Sequence, residues 1–400
     1  GELGVQYVLE GSIRRDARRV RITAQLIQVR DQTHLWARQF DREDTDVLTV
    51  QDEIARAIAD QIGPLIGAPR VVLEPAAAFA SGDYEAYEHY LRGRYLCSTR
   101  TPDGLRQAVE LFQRAIDANP DDARYHAALA DAYTLLGLWS YAPEEDVIPK
   151  ARAEALEALE LDGNLAAAHT SLAQINQVYD MDWQSAEARF RKAIELDPNY
   201  ATAHHWYAEY LGAQGRFDEA QAEIARARRL DPRSMIIATD HGYILNYAHQ
   251  FDRAIEEFRA VLAVEPTFSR AIGGLIGAYV NQGRFAEAFA EARRWQQLED
   301  GPWQRTALAH IHGRMGELDQ AERALRGAEE AARRLGRDPL ELRGFVYLGM
   351  GRKEEVLAVM QEACEKYPRK LNNIRVEPMY DWLRNDPRFQ ELVRCAGYEP

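Results

Sequence analysis

Along residues 201–302 the apolar positions recur with helical spacing, and the whole pattern repeats every 34 residues. Three units overlay: ATAHHWYAEYLGAQGRFDEAQAEIARARRLDP from Ala201, MIIATDHGYILNYAHQFDRAIEEFRAVLAVEP from Met235, and SRAIGGLIGAYVNQGRFAEAFAEARRWQQLED from Ser269. Each predicts two helices joined by a turn. Ala220, Ala254 and Ala288 are small where the helices approach, Gly283 ends a first helix in a left-handed cap, and Pro232 and Pro266 stop second helices. Such a pair cannot bury its apolar face alone, so stacked neighbours must build the core.

The beginning of the chain has a different period. Residues 5–42 alternate apolar and polar (Val5, Tyr7, Leu9; Val20, Ile22, Ala24, Leu26; Leu35, Ala37, Gln39), which predicts two or three strands of an antiparallel meander with a turn at residues 15–18. From Asp46 the spacing lengthens, and Val47, Val50, Ile54, Ile58 and Ile62 predict a helix closed by Gly63-Pro64.

The 34-residue unit, with Ala220, Ile224, Ala227 and Pro232, then Ala254, Phe258, Val261 and Pro266, then Leu275, Tyr279, Gly283 and Ala288, resembles the tetratricopeptide repeat. The resemblance implies a mainly α-helical protein, a right-handed superhelical solenoid of about eight helix–turn–helix repeats over residues 84–370 with a capping helix and tail over 371–400. The second repeat, from Ala123, closes nine residues late at Asp162-Gly163, and the third carries one extra residue near Asp180. The surplus near Trp139 and Tyr141 predicts an insertion. Its two aromatic side chains either anchor a partner or fold back over the neighbouring repeat.

In this family the first helix of each repeat lines a concave groove, which carries over to His205, Glu209, Tyr243, Asn246, Tyr247, Arg270 and Asn281 as partner-binding residues. Tyr243, Asn246 and Tyr247 stand out, because Tyr supplies contact area at low entropic cost and Asn can pair with peptide backbone. The Lys and Asn with which some of these domains clamp a C-terminal carboxylate are absent from the matching positions, which disfavours that mode.

The segment YVLEGSIRRDARRVRITAQLIQVRDQTHLWARQFDRE, followed by VQDEIARAIADQI, resembles the second half of the TolB-like N-terminal domain of bacterial regulators. There it precedes a tetratricopeptide array and follows a class III cyclase, a winged-helix DNA-binding domain or a protein kinase. The resemblance implies a partial α/β module over residues 1–65, joined through a linker rich in small residues and proline (66–83), and carries no catalytic residues. Because Gly1 stands first and the opening strand and helix of that domain are missing, the chain is expected to be a fragment of a larger protein.

The 400 residues carry a net charge of −14, which opposes sequence-independent attraction to nucleic acid or anionic membranes. Residues 1–42 run against this with eight Arg and five acidic residues, a pattern expected of a solvated hairpin. No apolar run approaches the ~18 residues a membrane span requires. Cys97, Cys364 and Cys395 have no metal-ligand spacing. An odd thiol fits a reducing, cytoplasmic setting (periplasmic if an upstream segment spans a membrane), with a Cys364–Cys395 bridge left open. Ten histidines include His204, His205, His241, His249, His310 and His312, but their spacing does not suggest a metal site, and no cofactor motif or nucleophile with a base is found. The expectation is a non-catalytic regulatory module that binds a peptide or protein partner; the alternative is a stand-alone scaffold, and an enzyme sited in the hairpin module comes third.

Overall fold

The computed structural model describes residues 7–16, 19–29, 33–43 and 81–398. The helix expected over residues 46–62 lies outside them, as does most of the expected linker. Contacts divide the chain into two compact units, Gly1–Tyr125 and His126–Pro400.

In the first unit, β1 (Tyr7–Asp16), β2 (Arg19–Gln28) and β3 (Thr33–Glu43) form an antiparallel sheet in the order β1-β2-β3. Alternation on β2 works as expected: Ala24 and Leu26 are buried, and Ala24 packs with Phe40, Ile22 and Trp36. On β3 the inward face is Trp36 and Phe40, whereas Ala37 and Gln39 of the expected set are exposed. Trp36 and Phe40 stand opposite Leu26 and Ile22 on the inward face of β2, and at Leu35 a bulge, where pairing passes from Leu26–Trp36 to Ile27–His34, takes that residue out of the ladder. Arg21 and Arg14 of the basic hairpin are exposed, with Arg21 paired to Asp41 at 2.6 Å.

The same unit holds a helix pair, α1 (Ser81–Ser98) and α2 (Pro102–Ala118), so the first helix opens inside the expected linker. Thr101 caps α2 by accepting from Gly104 N, and Phe112 lies fully buried against the Gly93 face of α1, where a Cβ would stand 2.5 Å from its ring.

Seven further pairs follow among the described residues: α3 (Ala123–Leu138) with α4 (Glu144–Leu161), α5 (Ala166–Ile175) with α6 (Trp183–Leu196), α7 (Ala201–Ala213) with α8 (Phe217–Leu230), α9 (Met235–Tyr247) with α10 (Phe251–Val264), α11 (Ser269–Asn281) with α12 (Phe285–Leu298), α13 (Pro302–Arg314) with α14 (Leu318–Arg334), and α15 (Leu340–Met350) with α16 (Lys353–Lys366). Gly215 (φ 77°) and Gly283 (φ 78°) make the left-handed turn that reverses the chain between helices, whereas His249 (φ 59°) does so in the pair between them. Phe258 is the hub of the middle repeats. It is fully buried with Leu245, Ile255, Leu275 and Tyr279, and it fits because Gly242 and Gly274 present no Cβ to its ring.

Both irregularities in the repeat length have a structural outlet. The second repeat spreads its surplus over a first helix of 16 residues and a second of 18, against 13 and 14 in the α7–α8 pair, as well as over the turn. The extra residue of the third is taken up by a π turn at Asn176–Asp180 that ends with Met181 left-handed at φ 54°.

The C-terminal segment differs from a helix resting on the last repeat alone. It runs through two 3₁₀ turns, Pro368–Leu371 and Pro378–Leu383, into α17 (Pro387–Cys395). On the way Arg369 pairs with Glu144, Asn373 donates to the Tyr247 hydroxyl at 3.3 Å, and Asp381 pairs with His249 at 2.7 Å. At the end Trp183 Nε1 donates to the Ala396 carbonyl at 3.2 Å and its ring stacks on Tyr398 at 4.6 Å. Leu371, Ile374, Val376, Leu383, Phe389 and Leu392 are all buried along this course, so the segment is held by apolar packing as well as by its polar contacts. A Cys364–Cys395 disulfide, Cα–Cα 6.1 Å, ties α17 to α16. Among the described residues no helix is long and apolar enough to cross a membrane.

Candidate functional site

Three successive first helices, α7, α9 and α11, place the expected groove residues side by side. His205, buried on α7, meets Asp240 of α9 at 2.8 Å through Nε2. The other Asp240 oxygen takes two hydrogen bonds from the Arg270 guanidinium of α11, at 2.8 and 2.5 Å, and Arg270 also lies 3.6 Å from Glu209. Burial would raise the Asp240 carboxyl, but the Arg270 charge and the hydrogen bond from His205 outweigh it and hold the group below its ordinary range. Asp240 was not among the expected residues. The signal available was an acidic residue inside the apolar stretch MIIATDHGYILNY, where burial without a partner would be costly.

His205, Glu209 and Asp240 also converge closely enough to hold a metal ion, their ligand atoms lying within 4.8 Å of one another. The two carboxylates face Arg270 instead, and His205 Nε2 meets Asp240. A cation would have to displace a guanidinium already paired with two carboxylates, so the arrangement works as an ion network linking three repeats.

Arg270 lies over the Tyr243 ring at 4.7 Å, and the Tyr243 hydroxyl donates to the Arg270 carbonyl at 3.1 Å. Burial pushes the Tyr243 hydroxyl up to about 12 and that of Tyr247 well above its usual value. Tyr247 faces the C-terminal segment, through Asn373 and Glu377. Asn281 donates to the Asn246 side-chain oxygen at 3.2 Å, joining α11 to α9. All seven expected groove residues therefore belong to one wall, part of which the chain covers with its own C-terminal segment. Trp139 and Tyr141 are half-buried, with ring centroids 5.9 Å apart, and Arg270 stands 5.9 Å from the Trp139 ring.

Behind Tyr243 the wall opens into a cavity of about 210 Å³ between α9, α11, α13 and the C-terminal segment. The glycines of α11 divide into two kinds. A Cβ on Gly274 would strike Phe258 at 2.4 Å, whereas one on Gly277 would meet nothing within 4 Å and one on Gly273 nothing closer than 3.8 Å. The first permits packing; the other two leave space that Ile276, Trp295, Trp303, Phe345 and Met379 enclose. His310 also lines it, donating from Nδ1 to the Phe345 carbonyl at 2.6 Å, and burial lowers the imidazole to about 4, which keeps it neutral. Glu377 is the carboxyl group on the wall, raised to about 7, chiefly by burial. Sequence periodicity pointed to none of Trp295, Trp303, His310, Phe345 and Glu377, because they come from helix positions and a tail that converge only in the folded chain.

The comparisons with known proteins agree with this architecture. Tetratricopeptide repeat models match residues 178–236, 245–302 and 103–144. A Rhizobium meliloti protein bearing the proposed name adenylate cyclase 3 is 34% identical over 174 residues, 43% of this chain and 29% of that protein. The transcriptional regulator HilA of Salmonella typhimurium is 28% identical over 166 residues, 42% of this chain and 30% of that protein. The matched segments thus span less than a third of those curated relatives. Among solved structures, the human IFIT1 dimer with m7Gppp-AAAA covers 87% of this chain and 78% of its own at 15% identity and a TM-score of 0.52, a likeness of fold.

Proposed function

We propose that this tetratricopeptide-repeat array is the protein-binding, regulatory part of a larger bacterial signalling protein, with the wall formed by α7, α9 and α11 as its contact surface. The observation that carries the reading is the half-buried stretch of that wall, where Asn281, Gly277 and Gly273 line the cavity behind Tyr243 while the same helices are locked together by the Arg270 network. Rigid repeats presenting amides and aromatics suit recognition of an extended peptide or a protein edge. The two relatives, a protein named for cyclase activity and a transcriptional regulator, support a regulatory setting, and the antiparallel meander supports the TolB-like resemblance. Catalysis in this reading belongs to another part of the protein.

Site-specific photo-crosslinking in cells tests it. A benzophenone side chain at Asn281, on the wall, should trap one discrete partner band; the same probe at exposed Glu256 on α10 should not. Equal labelling at both positions, or none at Asn281, would reject the wall as the contact surface.

A further inference from the structure

The cavity behind Tyr243 has a chemistry beyond that of a peptide groove. Trp295, Trp303 and Phe345 supply aromatic surface on its sides, and Ile276, Ile311, Val280 and Met379 supply saturated surface. A single acidic side chain, Glu377, interrupts this lining. Among the described residues none forms a salt bridge with it: Arg384, whose charge favours its ionised form, donates to its backbone carbonyl at 3.1 Å while pairing with Asp381, and the Tyr247 hydroxyl hydrogen-bonds to it. The other nearby charges are engaged elsewhere, Arg270 with Asp240 and Glu209. His310, on the same wall, is neutral.

Aromatic faces and one carboxylate around a small enclosed volume attract a weakly hydrated organic cation on two counts. Ring quadrupoles favour a cation within ~6 Å of the ring centroid, and a carboxylate in a poorly solvated wall gains more from a cation than one in water does. A cavity of about 210 Å³ accepts a quaternary or alkylated ammonium head. Hydrated metal ions and guanidinium groups fit less well, because neither exploits the saturated part of the lining. We propose that this cavity is a binding site for an organic ammonium group, caged by Trp295, Trp303 and Phe345 and paired with Glu377. The group can come from a free amine or from a modified lysine of a protein; the site stands whether or not the outer wall captures a partner, since cross-linking at Asn281 and ligand binding are read separately.

Choline and its neutral isostere 3,3-dimethylbutan-1-ol form the test, titrated by calorimetry into the protein at about pH 8. Choline should bind at least tenfold more tightly than the isostere, and Glu377→Gln and Trp303→Ala should each weaken it tenfold or more. Gly277→Leu should abolish binding, because its side chain enters the space from a position where a Cβ meets nothing. That variant keeps the helix and every polar contact, so it remains informative if Glu377→Gln fails to fold; circular dichroism melts establish folding for each.

Choline carries a fixed charge, so any pH dependence belongs to the protein. Affinity should rise from pH 6 to 8 in the parent as Glu377 ionises and stay level in Glu377→Gln. The other groups facing Glu377 are Tyr243 and Tyr247 from α9 and Tyr380, Asp381 and Arg384 from its own segment. None of the tyrosines ionises in that range, because burial raises all three. An acetyl-glycyl-trimethyllysyl-glycinamide peptide binding tenfold more tightly than choline would assign the group to a protein side chain, and weaker peptide binding to a free amine. Equal affinity for the neutral isostere, or choline binding unaffected by Gly277→Leu, would overturn the proposal.

Discussion

Asp240 shows how much one buried charge can decide. Its carboxylate survives inside the repeat array because His205 and Arg270 approach it from the repeats on either side. Removing one partner of a buried pair leaves the other uncompensated, so Arg270→Met should cost about 3–5 kcal/mol of stability. Adding Asp240→Asn should recover much of that loss, a coupling that denaturant titration of the two single variants and the double variant measures directly. Additive losses would show that the guanidinium does not act through Asp240. Glu377 makes a prediction of opposite sign. Its carboxyl is raised from 4.5 to about 7 by burial, so the native state holds a proton that the unfolded chain releases earlier. The stabilisation belongs to the protonated form: it is complete below about pH 4.5 and is lost as the pH rises towards 7. Glu377→Gln should leave the melting temperature unchanged near pH 4 and raise it relative to the parent by a few degrees at pH 8.

At the level of helices, glycine marks two different demands that a sequence cannot separate. Gly349 of α15 lies against α13, and a Cβ there would stand 2.4 Å from the His310 carbonyl oxygen, a backbone atom that cannot move aside alone. Gly349→Ala should therefore destabilise by about 1–3 kcal/mol through overpacking. Gly277→Ala, on α11, places its Cβ in open space and should gain up to ~1 kcal/mol from helix propensity. Thermal melts that move in the same direction for both would contradict this assignment of close approach to one glycine and free space to the other. Phe258 completes the picture at this scale. As the hub fitted between Gly242 and Gly274, its truncation to Ala should cost about 3–5 kcal/mol.

Across the unit His126–Pro400, the C-terminal segment turns an array with mainly neighbour-to-neighbour contacts into one with contacts between repeats far apart in sequence. Repeat stacks otherwise sum local stabilities, so a segment pinned to Glu144, Tyr247, His249 and Trp183 adds long-range cooperativity. The Cys364–Cys395 bond closes the loop that carries Arg369, Asn373 and Asp381 to the first three of these. Its removal by Cys364→Ser with Cys395→Ser should cost on the order of 2–4 kcal/mol. Tryptophan fluorescence should report the loosening, since Trp183 stacks on Tyr398 at the far end of the segment. An unchanged melt and unchanged emission would mean that packing alone holds the segment in place.

The period of 34, with its small residues and turn glycines, is enough to determine the helix pairs and their stacking, because each residue's environment there repeats from one unit to the next. The strand meander is legible on β2, where alternation is unbroken, and fails on β3, where Trp36 and Phe40, opposite Leu26 and Ile22, set the inward face instead of Leu35, Ala37 and Gln39. His205, Glu209, Tyr243, Asn246, Tyr247, Arg270 and Asn281 could be placed on one wall from position within the repeat. Their pairing through Asp240 could not, since it depends on distances between helices. The cavity and its Glu377 were decided by tertiary structure alone: α9, α11, α13 and α15 contribute to it from separate repeats, and the segment that closes it has no repeat period. Periodic sequence encodes contacts between neighbours; a non-repeating tail chooses its partners by the apolar area it must bury, which only the assembled array presents.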